Sequence, residues 1–262
     1  MISTENKEWN GRYANRLLVN FGYSQIAQMQ TAYVEYNTDF LELGIQFYMP
    51  THPKPDLVSH TVEIDFQNHM SLMVTPVADS QCTHFKRHPY FYFQTPEVAH
   101  TFYNHIRNPH IRDQIVGANP FRDRYDANND VFVHVRLGDI AHQNPGLAYY
   151  TKCLDRIPFD CGYISTDSPN HPDIQELQKR FGLKLIDYDE TRTLQFASTC
   201  KFLILSHGTF SWAMGAFAFN GSVHYPKIQL PFFQGILNRP WTEFHWHGDM
   251  FVFDDWQCVS TN

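Results

Sequence analysis

The sequence predicts an α/β protein, and its second half carries the pattern that predicts this class. Five short apolar segments rich in β-branched residues alternate there with four segments whose apolar residues recur at helical spacing. Parallel strands must be joined by long crossovers, which are usually helices, so this alternation indicates a parallel sheet covered by helices. The chain of 262 residues is 43% hydrophobic and 18% charged, which provides enough apolar material for a sizeable core.

The elements of the second half follow one another in strict alternation. Helix 171–182 has the clearest ends, because Pro172 stands near a first helical position and Gly182 stands where a C-terminal cap is expected. The predicted strands are 131–137, 161–166, 183–187, 201–206 and 222–226, and the predicted helices are 146–157, 171–182, 190–200 and 209–219.

The first half has a less regular pattern. Apolar residues at helical spacing predict a helix over 15–34, and Thr95-Pro96-Glu97 predicts the start of a helix that runs toward Arg107. Short apolar runs predict strands at 45–49, 61–66 and 90–93.

A domain boundary is expected near residue 125. Residues 110–130 have no periodicity and end in Asn, Asp and Ala, which is typical of a linker. This gives an N-terminal lobe of 1–125 and a C-terminal lobe of 126–262. Residues 227–262 are aromatic and irregular, and we expect them to pack back across the domain junction onto the N-terminal lobe.

Composition excludes some functional classes. With 20 Lys+Arg against 27 Asp+Glu the net charge is -7, which excludes a nucleic-acid binder that relies on a general basic surface. Five cysteines without a CxxC pair fit a reducing compartment. The polar start resembles no signal peptide, and no run of about 18 or more apolar residues predicts a membrane span. We therefore expect a cytoplasmic protein.

The candidate site lies at the carboxyl ends of the predicted strands, where open parallel sheets bind ligands. His134 and Arg136 point to the same side of the first strand of the second half, with Asp139 shortly after, and Asp167 follows the next strand. An arginine within an apolar strand is costly to bury unless it meets an anion. That anion is either a ligand phosphate or a neighbouring aspartate, and the sequence leaves both open.

A second anion-binding feature follows strand 201–206. Thr209, Phe210 and Ser211 open a helix, whose amide groups and dipole favour a phosphate, although Thr209 or Ser211 could equally serve only to cap the helix. Together with Arg136, this helix start predicts a diphosphate clamp.

Other motifs are weaker. No P-loop and no GxGxxG after a strand occurs. Asp187 and Asp189 form a DxD after a strand, which in some sugar transferases holds a metal on a nucleotide diphosphate. His245, His247 and Asp249 are a further metal candidate, although zinc normally takes three or four protein ligands.

Several of these residues belong to an ordered set of segments that spans residues 11–216. The segments are Gly11-Arg12-Tyr13-Ala14-Asn15-Arg16, Tyr92-Phe93-Gln94, His134-Val135-Arg136-Leu137-Gly138-Asp139, Tyr149-Tyr150, Ser165-Thr166-Asp167 and Thr209-Phe210-Ser211-Trp212. In this order they resemble the motifs of GDP-fucose-dependent transferases. The similarity is greatest to the α-1,2-fucosyltransferase family and extends to the α-1,6 and protein O-fucosyltransferases.

The resemblance implies a GT-B-like fold, in which two Rossmann-like lobes face a cleft and the C-terminal lobe binds the nucleotide sugar. It implies an inverting, metal-independent glycosyltransferase that moves L-fucose from GDP-fucose to a hydroxyl of a glycan acceptor, without a cofactor. Arg136 would be catalytic. The donor-binding residues would be Arg12, Asn15, His134, Arg136, Asp167, Thr209, Phe210 and Ser211.

Two points stay open. Asp139, Asp167, Glu35 and Asp39 are all candidates for the base that accepts the acceptor proton. Leu137, His207 and Ala213 also differ from the family pattern. Alternatives are therefore a transferase that uses another nucleotide sugar, dependent on a metal at Asp187 and Asp189, or a non-catalytic module that binds a nucleotide or glycan.

Overall fold

The computed structural model describes residues 12–33, 38–48, 58–80, 83–89, 91–227 and 249–261. The chain divides into two compact units, Met1–Ile115 and Val116–Asn262. The boundary predicted from the sequence, near residue 125, lies further along the chain than this division. Within the described residues, no helix is both long and apolar enough to cross a membrane.

The segment interpreted as a linker is more ordered than its sequence pattern indicates. Its first part is a helix, α4, over Pro109–Ala118. Its second part is tied to the second unit by hydrogen bonds. Asn119 donates its side-chain amide to the carbonyl of Gln195 at 2.9 Å, and the Tyr125 hydroxyl lies 2.8 Å from the Ser198 hydroxyl. The Asn and Asp residues that suggested an irregular connection therefore make specific side-chain contacts.

The first unit contains a small parallel sheet. Strand β1 (His60–Ile64) pairs with β2 (Thr83–Arg87), with His60 opposite Thr83. Its helices are α1 (Tyr13–Gln30), α2 (His69–Val74) and α3 (Pro96–Ile106). The predictions of α1, α3 and the strand at 61–66 are confirmed, and the Thr95 hydroxyl caps α3 by accepting from the amide of Val98.

Two strand predictions in this unit are wrong. Residues 45–48 and 91–93 form no strand, and β2 replaces them as the partner of β1. Phe91 and Phe93 are buried, which explains their apolar pattern, but Phe93 adopts a left-handed backbone conformation with φ 57° that no strand accommodates. β2 was missed because its inward positions are shared between Phe85 and the polar residues Thr83 and Arg87.

The second unit is a parallel sheet with helices between its first five strands, as the sequence predicts, and it has a sixth strand that the sequence did not predict. The strands are β3 (Val131–Val135), β4 (Gly162–Thr166), β5 (Lys184–Leu185), β6 (Phe202–Ile204), β7 (Ser222–Pro226) and β8 (Trp256–Val259). The helices are α5 (Leu147–Leu154), α6 (Pro172–Phe181), α7 (Glu190–Ser198) and α8 (Thr209–Ala216).

The order of the strands determines where a ligand can bind. It is β5-β4-β3-β6-β7-β8, so β3 lies in the middle and the chain adds strands first on one side and then on the other. This is the order of doubly wound Rossmann-type sheets, and it reverses between β3 and β6. All five residues of β3 are buried, and the carboxyl ends of β3 and β6 flank the crevice at this switch point.

Strand β8 corrects the description of residues 227–262 as irregular. It pairs in parallel with β7 inside the second unit, and Trp256 packs against Phe253 with ring centroids 4.6 Å apart. Phe251 and Phe253 pack on Trp256, and Phe251 also stacks on Tyr225 of β7, so the described part of this segment packs within the second unit. Residues 228–248 lie outside the described residues.

Candidate functional site

The site is the carboxyl edge of the sheet at the switch point between β3 and β6. The chain brings polar residues from four segments to this edge: the end of β3, the loop after β4, the end of β6 and the start of α8. The predicted residues placed there are His134, Arg136, Asp139, Asp167, Thr209, Phe210 and Ser211.

His134 is a buried, neutral histidine at the base of the site. It is 5% exposed, and its Nδ1 shares a 2.6 Å hydrogen bond with the hydroxyl of Ser211. The same hydroxyl accepts from the amide of Ser206 at 3.2 Å. Burial lowers the pKa of His134 to about 4, because desolvation disfavours the imidazolium, and the Asp167 carboxylate only partly opposes this. His134 therefore ties β3 to the start of α8 without adding charge.

Arg136 has a fixed backbone. Its amide donates to the Ser206 hydroxyl at 3.3 Å, and its carbonyl accepts from the side-chain amide of Asn144 at 2.9 Å. Asn144 in turn donates to the hydroxyl of Tyr150, whose ring belongs to the core. The guanidinium therefore extends from a residue whose backbone amide and carbonyl are both hydrogen-bonded.

The guanidinium of Arg136 contacts two carboxylates. Nη2 donates to Asp139 Oδ1 at 2.5 Å, and Nη1 contacts Asp167 Oδ2. The Arg136 side chain is 18% exposed, that of Asp167 25% and that of Asp139 57%. The neighbouring aspartates, one of the two kinds of anion that the sequence leaves open, both bind this arginine.

Asp167 is the more firmly held of the two carboxylates. Its Oδ1 accepts from the amides of Leu137 at 2.9 Å and Gly138 at 3.1 Å. Burial alone raises the pKa of Asp167, but the two amides and the Arg136 guanidinium outweigh it, so the pKa ends below its ordinary value. A side chain at position 138 would collide with this carboxylate, since a Cβ there would lie 2.5 Å from Asp167 Oδ2.

Helix α8 begins beside these residues. Its N-cap residue is Gly208, which has no side chain to cap the helix, and the Ser211 hydroxyl bonds instead to His134 and Ser206. Phe210 lies edge-on to the His134 ring, with centroids 5.5 Å apart. The positive end of the helix dipole therefore lies beside His134, at the same edge of the sheet from which Arg136 extends, and it favours an anion there.

The predicted residues Arg12 and Asn15 belong to the first unit. Arg12 is exposed at the N-cap of α1, and Asn15 accepts a 2.9 Å hydrogen bond at Oδ1 from the side-chain amide of Gln94. This bond joins two of the motif segments across 79 positions of sequence. Glu35 and the side chain of Asp39 lie outside the described residues.

The metal candidates find no support in the described part of the chain. Asp189 accepts from the amide of Arg192 at 2.7 Å as the N-cap of α7, so its carboxylate has a structural role. Among the described residues, no three His, Cys, Asp or Glu side chains are grouped to hold a metal ion. His245, His247 and the side chain of Asp249 lie outside these residues.

Sequence reasoning missed Ser206 and Asn144, which hold the backbone of Arg136. Ser206 was visible as a hydroxyl residue at the end of an apolar strand, the position that faces the binding edge. No family model, curated protein or solved structure matches this chain. The sheet order and the contacts at the switch point are therefore the basis of the functional proposal.

Proposed function

We propose that the protein is a nucleotide-sugar glycosyltransferase whose donor diphosphate binds beside Arg136. The observation that carries this proposal is the meeting of His134, Arg136, Asp167 and Ser211 at the switch point of a Rossmann-type sheet. Doubly wound sheets bind nucleotides at this position. An arginine fork next to a helix start suits the oxygens of a diphosphate.

The grouping of the motif segments supports the transferase class. The segments that resemble fucosyltransferase motifs lie far apart in the sequence, yet they contact one another in the fold. His134 bonds to Ser211 and Asp167 caps the amides of Leu137 and Gly138, while Gln94 bonds to Asn15. A chance set of short matches has no reason to pair in this way.

In the proposed reaction, the acceptor hydroxyl attacks the anomeric carbon as the bond from that carbon to the diphosphate oxygen breaks. Negative charge then develops on the leaving diphosphate, and the Arg136 guanidinium with the α8 dipole stabilises it. Attack from the face opposite the leaving group inverts the anomeric carbon. The lowered pKa of Asp167 and its amide donors make it a poor base for the acceptor proton, so Asp139 is the base candidate among the described carboxylates of the site.

The finer parts of the proposal rest on the resemblance. They are GDP-fucose as the donor, a glycan as the acceptor, and a GT-B arrangement in which Arg12 and Asn15 of the first unit also bind the donor. The proposed cytoplasmic location rests instead on composition, with five cysteines and no CxxC pair. A metal-independent reaction is part of the same proposal. If Asp187 and Asp189 held a required metal instead, excess EDTA would abolish activity.

The test is a thermal-shift panel of nucleotides and nucleotide sugars in EDTA. We expect GDP to raise the Tm, with a stabilisation of about 2.7 kcal/mol at 100 times the Kd. Arg136→Ala should abolish the shift and lower kcat by about 10²–10³-fold, by analogy with the loss of one transition-state donor. The matched control is Arg180→Ala, which removes a half-exposed arginine paired with Asp155 in the same unit.

The outcomes separate the alternatives. A shift with UDP and not with GDP would keep the transferase class and change the donor. Nucleotide or glycan binding without sugar transfer would indicate a non-catalytic module. If no nucleotide changes the Tm of the wild type, the donor site at Arg136 is wrong.

A further inference from the structure

The two carboxylates on Arg136 differ in how firmly they are held. Asp167 accepts two backbone amides at Oδ1 while Oδ2 contacts the guanidinium, and its side chain is 25% exposed. Asp139 lies in an exposed turn directly after β3, and its side chain is 57% exposed. Moving Asp139 breaks an ion pair at the surface, whereas moving Asp167 also uncaps two amides.

Asp139 occupies the part of the guanidinium that a diphosphate would need. It holds Nη2, while Asp167 holds Nη1, so both ends of the arginine fork carry a carboxylate. One guanidinium between two carboxylates has a negative sum of charge, which repels an incoming polyanion. The turn of Asp139 also lies beside α8, since the Cδ1 atom of Ile140 is 3.4 Å from where a Cβ on Gly208 would be.

We propose that Asp139 is a displaceable counter-ion that closes the Arg136 site when no ligand is bound. When the diphosphate binds, the Asp139 side chain turns away from the guanidinium, and phosphate oxygens take its place on Nη2. Asp167 stays in position and keeps the guanidinium aimed at the ligand. This inference rests on the proposed donor site and adds a self-inhibiting contact to it, since every binding event must first break the pair between Arg136 and Asp139.

The inference predicts that removing the Asp139 charge strengthens anion binding. For Asp139→Asn we expect the Kd of inorganic pyrophosphate and of GDP to fall about fivefold, the equivalent of about 1 kcal/mol for a partly exposed ion pair. Asp139→Ser should also lower both Kd values. Because it introduces no amide, it shows whether the effect of Asp139→Asn comes from the lost charge. Asp167→Ala should not tighten binding, because it removes the oxygen that accepts from the amides of Leu137 and Gly138.

The measurement is calorimetric titration of the full chain with pyrophosphate and with GDP. The matched control is Asp155→Asn, which removes the carboxylate of the exposed pair with Arg180 in the same unit and should leave both Kd values unchanged. Equal or weaker binding by both Asp139 variants overturns the inference.

The result also distinguishes this inference from the proposed function. If the wild type binds GDP and transfers a sugar but the Asp139 variants bind no tighter, the counter-ion role fails and the function stands. If pyrophosphate binds and the variants bind it more tightly while no nucleotide sugar is consumed, the counter-ion role stands and the function fails. If neither wild type nor variants bind pyrophosphate or GDP, both are overturned.

Discussion

At the scale of single residues, His134 shows how a polar group is kept inside a strand that is otherwise apolar. A charged imidazolium is expensive to bury, whereas a neutral ring with one hydrogen bond to Ser211 is compatible with the core. In the sequence this histidine interrupts a run of Val and Phe, and the family resemblance implies that it binds the donor. The 2.6 Å bond across 77 positions of sequence supplies a structural purpose, since it fixes α8 on the sheet.

The pKa of His134 predicts a loss of stability in mild acid. The pKa is about 4 in the folded protein and about 6.5 in an unfolded chain, so the unfolded state binds more protons between these values. The stabilisation is complete above about pH 6.5 and is lost as the pH falls toward 4. Between pH 7 and pH 5 we expect the free energy of unfolding to fall by about 2 kcal/mol from this residue, measured by urea denaturation.

Substitution isolates this contribution from that of the other buried histidines. His69, His105 and His224 also have pKa values lowered by burial, so the wild-type profile contains several histidines. His134→Gln should reduce the slope of the free energy of unfolding between pH 7 and pH 5, because it removes the histidine whose pKa is lowered to about 4 by burial. A slope that is the same in wild type and His134→Gln would contradict the assignment.

At the scale of elements, the pattern of the second unit could be predicted because its central strands β3, β6 and β7 are largely buried on both faces. Such strands become continuous apolar runs, as in β3, which stand out against the helices between them. The order of the strands was not readable, because local sequence does not encode which neighbour a strand pairs with. β8 was missed since Trp256 belongs to an aromatic segment without alternation, and only its pairing with β7 makes it a strand.

Helix α6 offers a test of how well the sequence marks the end of a helix. Gly182 is its C-cap and adopts the left-handed conformation with φ 66°. A Cβ disfavours this conformation by roughly 1–2 kcal/mol, so Gly182→Ala should lower the free energy of unfolding by about 1 kcal/mol. Gly182→Asn should be milder, because asparagine tolerates this region better.

Gly117→Ala is the matched control for that experiment. Gly117 lies inside α4, and a Cβ there has no neighbour within 4 Å. The substitution should stabilise the protein by about 0.5–1 kcal/mol, since alanine is the better helix former. We expect the urea midpoint to fall for Gly182→Ala and to rise for Gly117→Ala, relative to the wild type. A higher midpoint for Gly182→Ala would contradict the assignment of Gly182 as the C-cap.

At the scale of the whole molecule, the sequence predicts which residues form the site but does not predict which of their charges pair. Parallel strands end at one edge of a sheet, so polar residues at or shortly after the ends of apolar strands are expected to lie together there. This position in the sequence identified His134, Arg136, Asp167 and Ser211. The pairing of Arg136 with two carboxylates depends on side-chain directions that no pattern encodes. The site is therefore acidic like the chain as a whole, which has a net charge of -7, because Arg136 contacts two carboxylates.

The division into two units predicts that the second unit folds and binds nucleotide by itself. The unit from Val116 to Asn262 contains the six-stranded sheet, its core and every residue around Arg136. A fragment of residues 116–262 should unfold cooperatively and keep the GDP-induced rise in Tm, because a domain with its own core folds alone. If Arg12 and Asn15 bind the donor as we propose, the fragment should bind GDP more weakly than the full chain and should transfer no sugar. The same fragment with Arg136→Ala is the control and should fold without responding to GDP. A fragment that melts without a cooperative transition would show that the second unit depends on residues 1–115 for its stability.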